Sequence, residues 1–330
     1  MKPLVLGGAG FIGSWILKEL NSRNYPVNIL SRKNNGLLNT DRCRIFSGDC
    51  TNAVLLEKAM EGCNTIFHAA PYYPVYSVRK YEQYNIAMNE LNNIVKTAKK
   101  NNIKKFIFIS APTVLSAAKE SHEISTYCFI KYHLHKKMED EIRNGFPAVI
   151  VIPGGCFGPG DWKVITGRVI LEIISRRLRI IVDGIMNVVD VRDVARSIVN
   201  ASLSGRIGTN YQLGNWNCTL SQFANKVAEI ADIPPIKIKV PYLICKNIAK
   251  LVELIQYNTV GGTPLFPEVG LDLVHFGSYL DSTDAIKDLN FTACPVEKTI
   301  YDSIEWYRYN DYLTVDGKIN SKRIPAFRLR

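Results

Sequence analysis

Residues 4–15 read LVLGGAGFIGSW, an apolar run that meets a cluster of glycines and continues as an amphipathic stretch. Gly7, Gly10 and Gly13 stand three apart, and Gly8 completes a GxGxxG pattern with Gly10 and Gly13. A strand passes into a helix through so tight a turn only if the turn residues lack a Cβ. The first glycines permit the turn, the middle one lets a phosphate approach the backbone, and the last packs the helix on the strand. The helix then opens with unpaired amides and the positive end of its dipole, both of which favour an anion. Strand, glycine turn and helix in this order predict a dinucleotide-binding βα unit, with Gly7, Gly10, Phe11, Ile12 and Gly13 as the residues nearest the ligand.

The first half of the chain keeps alternating. Nearly continuous apolar runs at 2–6, 27–30, 43–46, 65–68, 105–109 and 148–152 predict strands, and helical patterns lie near 11–23, 51–61, 79–101 and 124–144. Such strands, separated by helices, predict an α/β, doubly wound parallel sheet of the Rossmann kind with helices on both faces. After Pro153 the pattern changes. GGCFGPGD (154–161) reads as a loop, a helix is expected over 162–177, and NVVDVRDVARSIVNASL (187–203) reads as a strand feeding a helix. From about Trp216 the chain is mostly helical, with prolines as punctuation. The expected division is a dinucleotide-binding domain over 1–155, to which 187–214 returns, and a smaller, mostly helical substrate-binding region over 156–330.

Composition excludes several classes. With 47% hydrophobic and 22% charged residues the 330-residue chain reads as a soluble globular protein, and no apolar run is long enough for a membrane span. MKPLVLGG runs straight into the first strand and leaves no room for a signal peptide, so a cytoplasmic location is expected. The eight cysteines are scattered without a CxxC pair, which suits free thiols and argues against a metal site. The net charge of +11 has two readings: a solvated basic surface, or an anionic partner. That partner could be a phosphorylated cofactor, a coenzyme A or carrier-linked thioester, or a negative membrane surface. Nucleic acid is not expected, because the basic residues are spread out and accompany no binding motif.

The end of the second strand bears on cofactor type. An NAD site places a carboxylate there for the ribose 2′-hydroxyl. This chain has NILSRK, with Arg32 and Lys33 and no carboxylate, so NADP(H) is favoured while NAD(H) stays open. Arg32 could also simply cap an exposed strand end. In FSGDCTN, Asp49, with Cys50 beside it, could accept from the adenine amine or cap the next helix.

The chemistry lies in FIFISAPTVLSAAKESHEISTYCFIK (106–131). Tyr127 and Lys131 are four apart on a predicted helix and share a face. A phenol, with a pKa near about 10, works as an acid–base at neutral pH only beside a cation. Lys131 supplies one, and Tyr127 can then protonate the alkoxide formed as hydride reaches a carbonyl, or run the reverse step.

The glycine turn, GDCTN, FHAAP (67–71), Asn85, YxxxK and PGGCFGPGD (153–161) occur in the order found in extended short-chain dehydrogenases/reductases, the NAD-dependent epimerase/dehydratase family, which the chain resembles to about Tyr309. Residues 167–195 look most like the branch holding dihydroflavonol reductase-like enzymes and hopanoid-associated sugar epimerases. The resemblance implies a seven-stranded Rossmann domain, with His68, Ala69 and Ala70 lining the cofactor, and Pro153 and Cys156 passing beside the nicotinamide. It also implies that Asn85 steadies the active-site helix and that Asp193 fixes a strand–helix junction. The chain departs from the family at Leu6, at Met88 and Asn89, in a short loop before Tyr127, and above all at Ala111, where the catalytic serine is usual. If the segment is extended, Thr113 points the same way as Ala111 and replaces the serine, with Ser110 as second candidate.

The expected function is an NADP(H)-dependent oxidoreductase acting on a carbonyl or secondary alcohol of a largely apolar or aromatic metabolite. Trp162, Tyr242, Tyr257, Phe266, Phe276 and Tyr279 are the candidate pocket aromatics. Epimerase- or dehydratase-type chemistry and a non-catalytic NADP-binding regulator are the alternatives. The expected partner is a small molecule, anionic or carrier-linked, with a homodimer as an open option.

Overall fold

The structure, a computed structural model, describes residues 1–32, 42–69, 72, 77–116, 124–182, 184–259, 268–314 and 316–323. In the first half, strands β1 (Pro3–Leu6), β2 (Val27–Ser31), β3 (Cys43–Ser47), β4 (Thr65–His68), β5 (Lys105–Ile109) and β6 (Ala148–Pro153) alternate with helices α1 (Phe11–Ser22), α2 (Ala53–Met60), α3 (Lys80–Lys100) and α4 (Thr126–Arg143). The second half contains β7 (Gly155–Phe157), α5 (Arg168–Ile174), β8 (Ile180–Ile181), β9 (Ile185–Asp190), α6 (Val191–Leu203), β10 (Asn210–Leu213), β11 (Trp216–Thr219), α7 (Leu220–Ile230) and β12 (Ile238–Lys239). Helices α8 (Tyr242–Thr259), α9 (Glu268–His275), α10 (Thr283–Leu289) and α11 (Val296–Tyr309) follow.

Seven strands form one parallel sheet in the order β10-β6-β5-β4-β1-β2-β3. Its side chains alternate between two cores. Leu4, Leu6, Ile66, Phe106 and Phe108 pack under α2, α3 and α4, while Val5, Ile29, Phe67, Ile107 and Val149 pack under α1, α6 and α10. Both faces are therefore dry, which is why these strands carry no polar alternation. Strand order reverses between β1 and β4, where Leu6 lies opposite His68. That reversal opens a crevice at the strands' carboxyl ends, the usual place for a ligand in such a sheet.

Beyond the crevice, β7 and β9 run parallel and β11 joins β9 antiparallel. Helices α5, α7 and α11 cover this smaller sheet around Phe157, Phe223 and Tyr307. A further small cluster, Val182, Cys245, Ala249 and Leu271, joins α8 and α9 to the pair β8–β12.

The helix expected over 162–177 is shorter, running only from Arg168 to Ile174. The buried Asp161 carboxylate accepts the amides of Ile165 and Gly167 and the hydroxyl of Tyr307, which holds the preceding residues as a loop. The β9–α6 junction is capped by Asp190, which accepts from the Arg192 amide, rather than by Asp193. Asp193 instead accepts from the Cys294 amide at 2.6 Å and so ties α6 to the segment before α11.

Candidate active site and cofactor crevice

The glycine turn has the backbone that the spacing demands. Gly7 sits at φ +85°, and a Cβ on Gly13 would lie 2.2 Å from the Gly7 carbonyl oxygen. No side chain caps the start of α1, and its first turn carries no acidic residue, so its N-terminal amides remain available to an anion. The Trp15 indole donates to the Pro159 carbonyl at 2.8 Å and locks α1 against the loop after β7.

Gly7, Gly10, Phe11 and Ile12 line one end of a cavity of 1860 Å³. Arg32 lies at its edge, half-exposed, with Nε 4.0 Å from the Asp49 carboxylate. Asp49 also accepts from the Thr51 amide, while the helix cap of α2 is made by Asn52, so Asp49 is not the cap. Cys50 lines the same stretch, its thiol pushed up by burial. Ala69, Pro153 and Cys156 continue the wall, and burial raises the Cys156 thiol as well. Lys33 and Ala70 lie outside the described residues.

The sequence gives no hint of Glu90, an α3 carboxyl that enters this wall beside Cys50. Burial, reinforced by the Asp49 charge, raises its pKa to about 7, and its Oε2 is buried without a hydrogen-bond partner. A glutamate on an otherwise amphipathic helix looks solvated in sequence. Only the fold turns it inward.

Tyr127 and Lys131 both line the cavity from α4, and the Lys131 amine lies 5.6 Å from the centre of the Tyr127 ring. Lys131 is buried, and desolvation lowers its pKa to about 7. His68 is buried between Phe106 and Phe108 with neither ring nitrogen partnered. Burial, together with the Lys131 charge, holds its pKa down at about 3, so it is a neutral packing group. Asn85 is exposed, and the contact from α3 to the start of α4 comes instead from Lys80, whose amine donates to the Ile124 carbonyl at 2.5 Å.

The segment before Tyr127 is not extended. Pro112–Leu115 forms a 3₁₀ turn with Pro112 at its start. Ala111, Thr113 and Ser110 all line the cavity. Ser110 is engaged elsewhere, since its hydroxyl lies 2.9 Å from His135 Nδ1. The Thr113 hydroxyl is buried and closes no hydrogen bond, although it lies near enough to the Cys128 thiol to influence it.

The aromatic pocket expected from the second half is largely absent. Of those residues Tyr257 lines the cavity, whereas Tyr242 stacks on His275, Phe276 packs against both, Trp162 meets Trp306, and Tyr279 is exposed. Phe266 lies outside the described residues. The far wall is aliphatic, with Ile165, Val169, Leu178 and Leu273, and it is rimmed by Lys163, Arg168, Arg177 and Arg179. Among the described residues no group of His, Cys, Asp or Glu side chains is placed to hold a metal, and no helix is long and apolar enough to cross a membrane.

Residues 3–214 match the model of the NAD dependent epimerase/dehydratase family. The chain is 26% identical over 328 residues to a dihydroflavonol 4-reductase-like protein of Synechocystis sp., covering 94% of this chain and 95% of that protein. It is 22% identical over 323 residues to sterol demethylase protein B of Methylococcus capsulatus, covering 93% and 98%. A solved nucleoside-diphosphate-sugar epimerase from Pseudomonas aeruginosa superposes with a TM-score of 0.77 at 22% identity, covering 95% of this chain and 99% of that one, a likeness of fold.

Proposed function

Because the chain belongs to the NAD dependent epimerase/dehydratase family and is an NAD(P)-dependent oxidoreductase of the extended short-chain dehydrogenase/reductase type, we propose that it interconverts a carbonyl and a secondary alcohol on a largely aliphatic metabolite with an anionic end, using NADP(H). The observation that carries this reading is the buried Lys131 one turn behind Tyr127, in the wall of the cavity that also holds the glycine turn.

The residues fit the cofactor. The turn leaves room where a Cβ would collide, and the uncapped helix offers amides to a pyrophosphate. Gly7, Gly10, Phe11, Ile12 and Gly13 would hold the phosphates, Asp49 and Cys50 the adenine, and Lys131 the nicotinamide ribose. Ala69, Ala70, Pro153 and Cys156 would flank the ring. Arg32 and Lys33 supply the charge a 2′-phosphate needs. In this assignment residues 1–155 and 187–214 serve the cofactor and the rest of 156–330 the substrate.

The bound dinucleotide supplies or accepts a hydride at the substrate carbon. The remaining steps fall to the protein. In reduction Tyr127 gives its phenolic proton to the substrate oxygen, and the Lys131 cation stabilises the phenolate until solvent returns the proton. Thr113, whose hydroxyl has no protein partner, donates to the same oxygen in place of the missing serine. The aliphatic wall takes the body of the substrate and the basic rim its anionic end. The likeness to sterol demethylase protein B supports a lipidic body.

A second reading, epimerisation or dehydration, is favoured by the absent hydroxyl at Ala111. Purified protein with NADPH or NADH and a panel of acyl, aromatic and nucleotide-sugar carbonyls separates the two. Steady NADPH consumption, fastest with an anionic aliphatic carbonyl and strongly reduced by Arg32→Ala, is expected. Conversion of nucleotide sugars without net NADPH consumption supports the second reading, and equal affinity for both cofactors removes the NADP preference. Tight cofactor binding with no turnover across the panel points to a regulator.

A further inference from the structure

Helix α8 turns its polar side inward. Cys245, Lys246, Ala249 and Glu253 are buried, whereas Leu243, Ile244, Ile248, Leu251, Leu254 and Ile255 are 52% to 70% exposed. The exposed residues stand one, three or four positions apart and so share one face of the helix as a stripe. Polar bonds fix this orientation. The Glu253 carboxylate accepts the amides of Ser77 at 2.9 Å and Glu268 at 2.6 Å, and the Lys246 amine pairs with the α9 carboxylates of Asp272 at 3.4 Å and Glu268 at 3.6 Å. Rolling the helix to hide the stripe would break those bonds. Single exposed aliphatics are ordinary, but a contiguous row marks a surface that something covers.

Charge selects the occupant. Between residues 233 and 259 the only carboxylate is Glu253, which faces inward, while Lys237, Lys239 and Lys250 are exposed. Ile238, on β12, is itself 59% exposed. The β8–β12 register pairs Ile238 with Ile180, which sets the exposed Arg179 and Lys237 one residue before the paired positions. A second copy of the chain would bring the same cations face to face, on a protein of net charge +11. An apolar stripe bordered by lysine and arginine suits a layer with an apolar interior and a negative surface.

We propose that α8 docks this face on the surface of an anionic phospholipid bilayer, with the stripe entering the interface and the flanking lysines and arginines meeting the headgroups. Tyr257, near the end of α8, lines the cavity, so docking sets the cavity beside the lipid from which an apolar substrate would enter.

Vesicle flotation tests the proposal without reference to turnover. The protein is expected to float with vesicles of phosphatidylcholine and phosphatidylserine, and much less with phosphatidylcholine alone. Ile248→Glu/Leu251→Glu and Lys237→Glu/Lys239→Glu should each weaken binding on the order of tenfold or more, with circular dichroism and NADPH binding in solution unchanged. Absence of flotation with the anionic vesicles, or flotation that Ile248→Glu/Leu251→Glu leaves intact, overturns the proposal. So does a wild-type oligomer in sedimentation equilibrium that the glutamate pair dissociates while neither protein binds vesicles, which assigns the face to a second copy.

Discussion

At the residue scale the hydroxyl groups around Ala111 differ in what they are free to do. Ser110 is committed to His135, whereas the Thr113 hydroxyl closes no bond inside the protein. Steady-state kinetics should therefore rank Tyr127→Phe as most damaging and Thr113→Ala as intermediate, with a loss on the order of 10²–10³ in kcat for a missing donor of this kind. Ser110→Ala should leave kcat near wild type but lower stability by about 1–3 kcal/mol, because it strands a buried ring nitrogen. Lys131 adds a pH signature. Its folded-state pKa of about 7 lies below the ordinary 10.5, so between these values the unfolded chain holds a proton that the folded one has released. The contribution of Lys131 to the stability of the ligand-free protein is thus least favourable below about pH 7 and improves as pH climbs toward 10.5. Thermal denaturation of the two proteins side by side should show Lys131→Met with a Tm advantage near pH 7 that shrinks as pH climbs through that window.

At the scale of elements, α4 depends on α9. The Asp272 carboxylate accepts the Ser125 amide at 2.5 Å, two residues before Tyr127, and the Tyr242 hydroxyl at 2.6 Å, with Lys246 at 3.4 Å. Asp272→Ala would strand the buried Ser125 amide, a cost of about 1–3 kcal/mol, would leave Lys246 with Glu268 at 3.6 Å as its remaining carboxylate partner, and would loosen the start of α4. Urea denaturation should register the first effect, and a fall in kcat larger than any rise in KM the second, with Asp272→Asn between the two proteins. None of this linkage is legible in the sequence, because Asp272 and Ser125 are 147 positions apart. The first six strands were legible to within a residue or so at their ends, since a strand dry on both faces announces itself as an unbroken apolar run, whereas β7 lies inside the expected 154–161 loop and β10 and β11 were not anticipated. Local departures from the regular pattern were not legible either: Asp161, through its bonds to backbone amides, shortens α5, and the 3₁₀ turn that begins at Pro112 replaces an extended segment. The pocket aromatics failed for a related reason. Apolar character says that a side chain is buried, not which core receives it, and Tyr242 and Phe276 went to the packing around His275. The inverted α8 also escapes notice, because a periodic pattern does not reveal which face meets the protein.

At the scale of the whole molecule, one cavity is walled by both the seven-stranded sheet and the elements beyond it. A cofactor that binds only the folded state stabilises it by about 2.7 kcal/mol at a hundredfold excess over Kd. NADPH should therefore raise the Tm of the intact protein. Gly13→Ala, whose Cβ would lie 2.2 Å from the Gly7 carbonyl oxygen, should lower the Tm and abolish the NADPH-induced rise, read in the same melting experiment. The strand order also governs how the protein is made. Six strands of the main sheet are complete once Pro153 has been synthesised, but β10, the neighbour of β6, ends at Leu213. For the intervening 60 residues a nascent chain therefore carries β6, a strand buried along its whole length in the finished protein, as a bare apolar edge. At ribosomal rates of about 5–20 residues per second that interval lasts several seconds. During it the chain is at its most exposed to mispairing with a neighbour on the same message, and a chaperone has its clearest target.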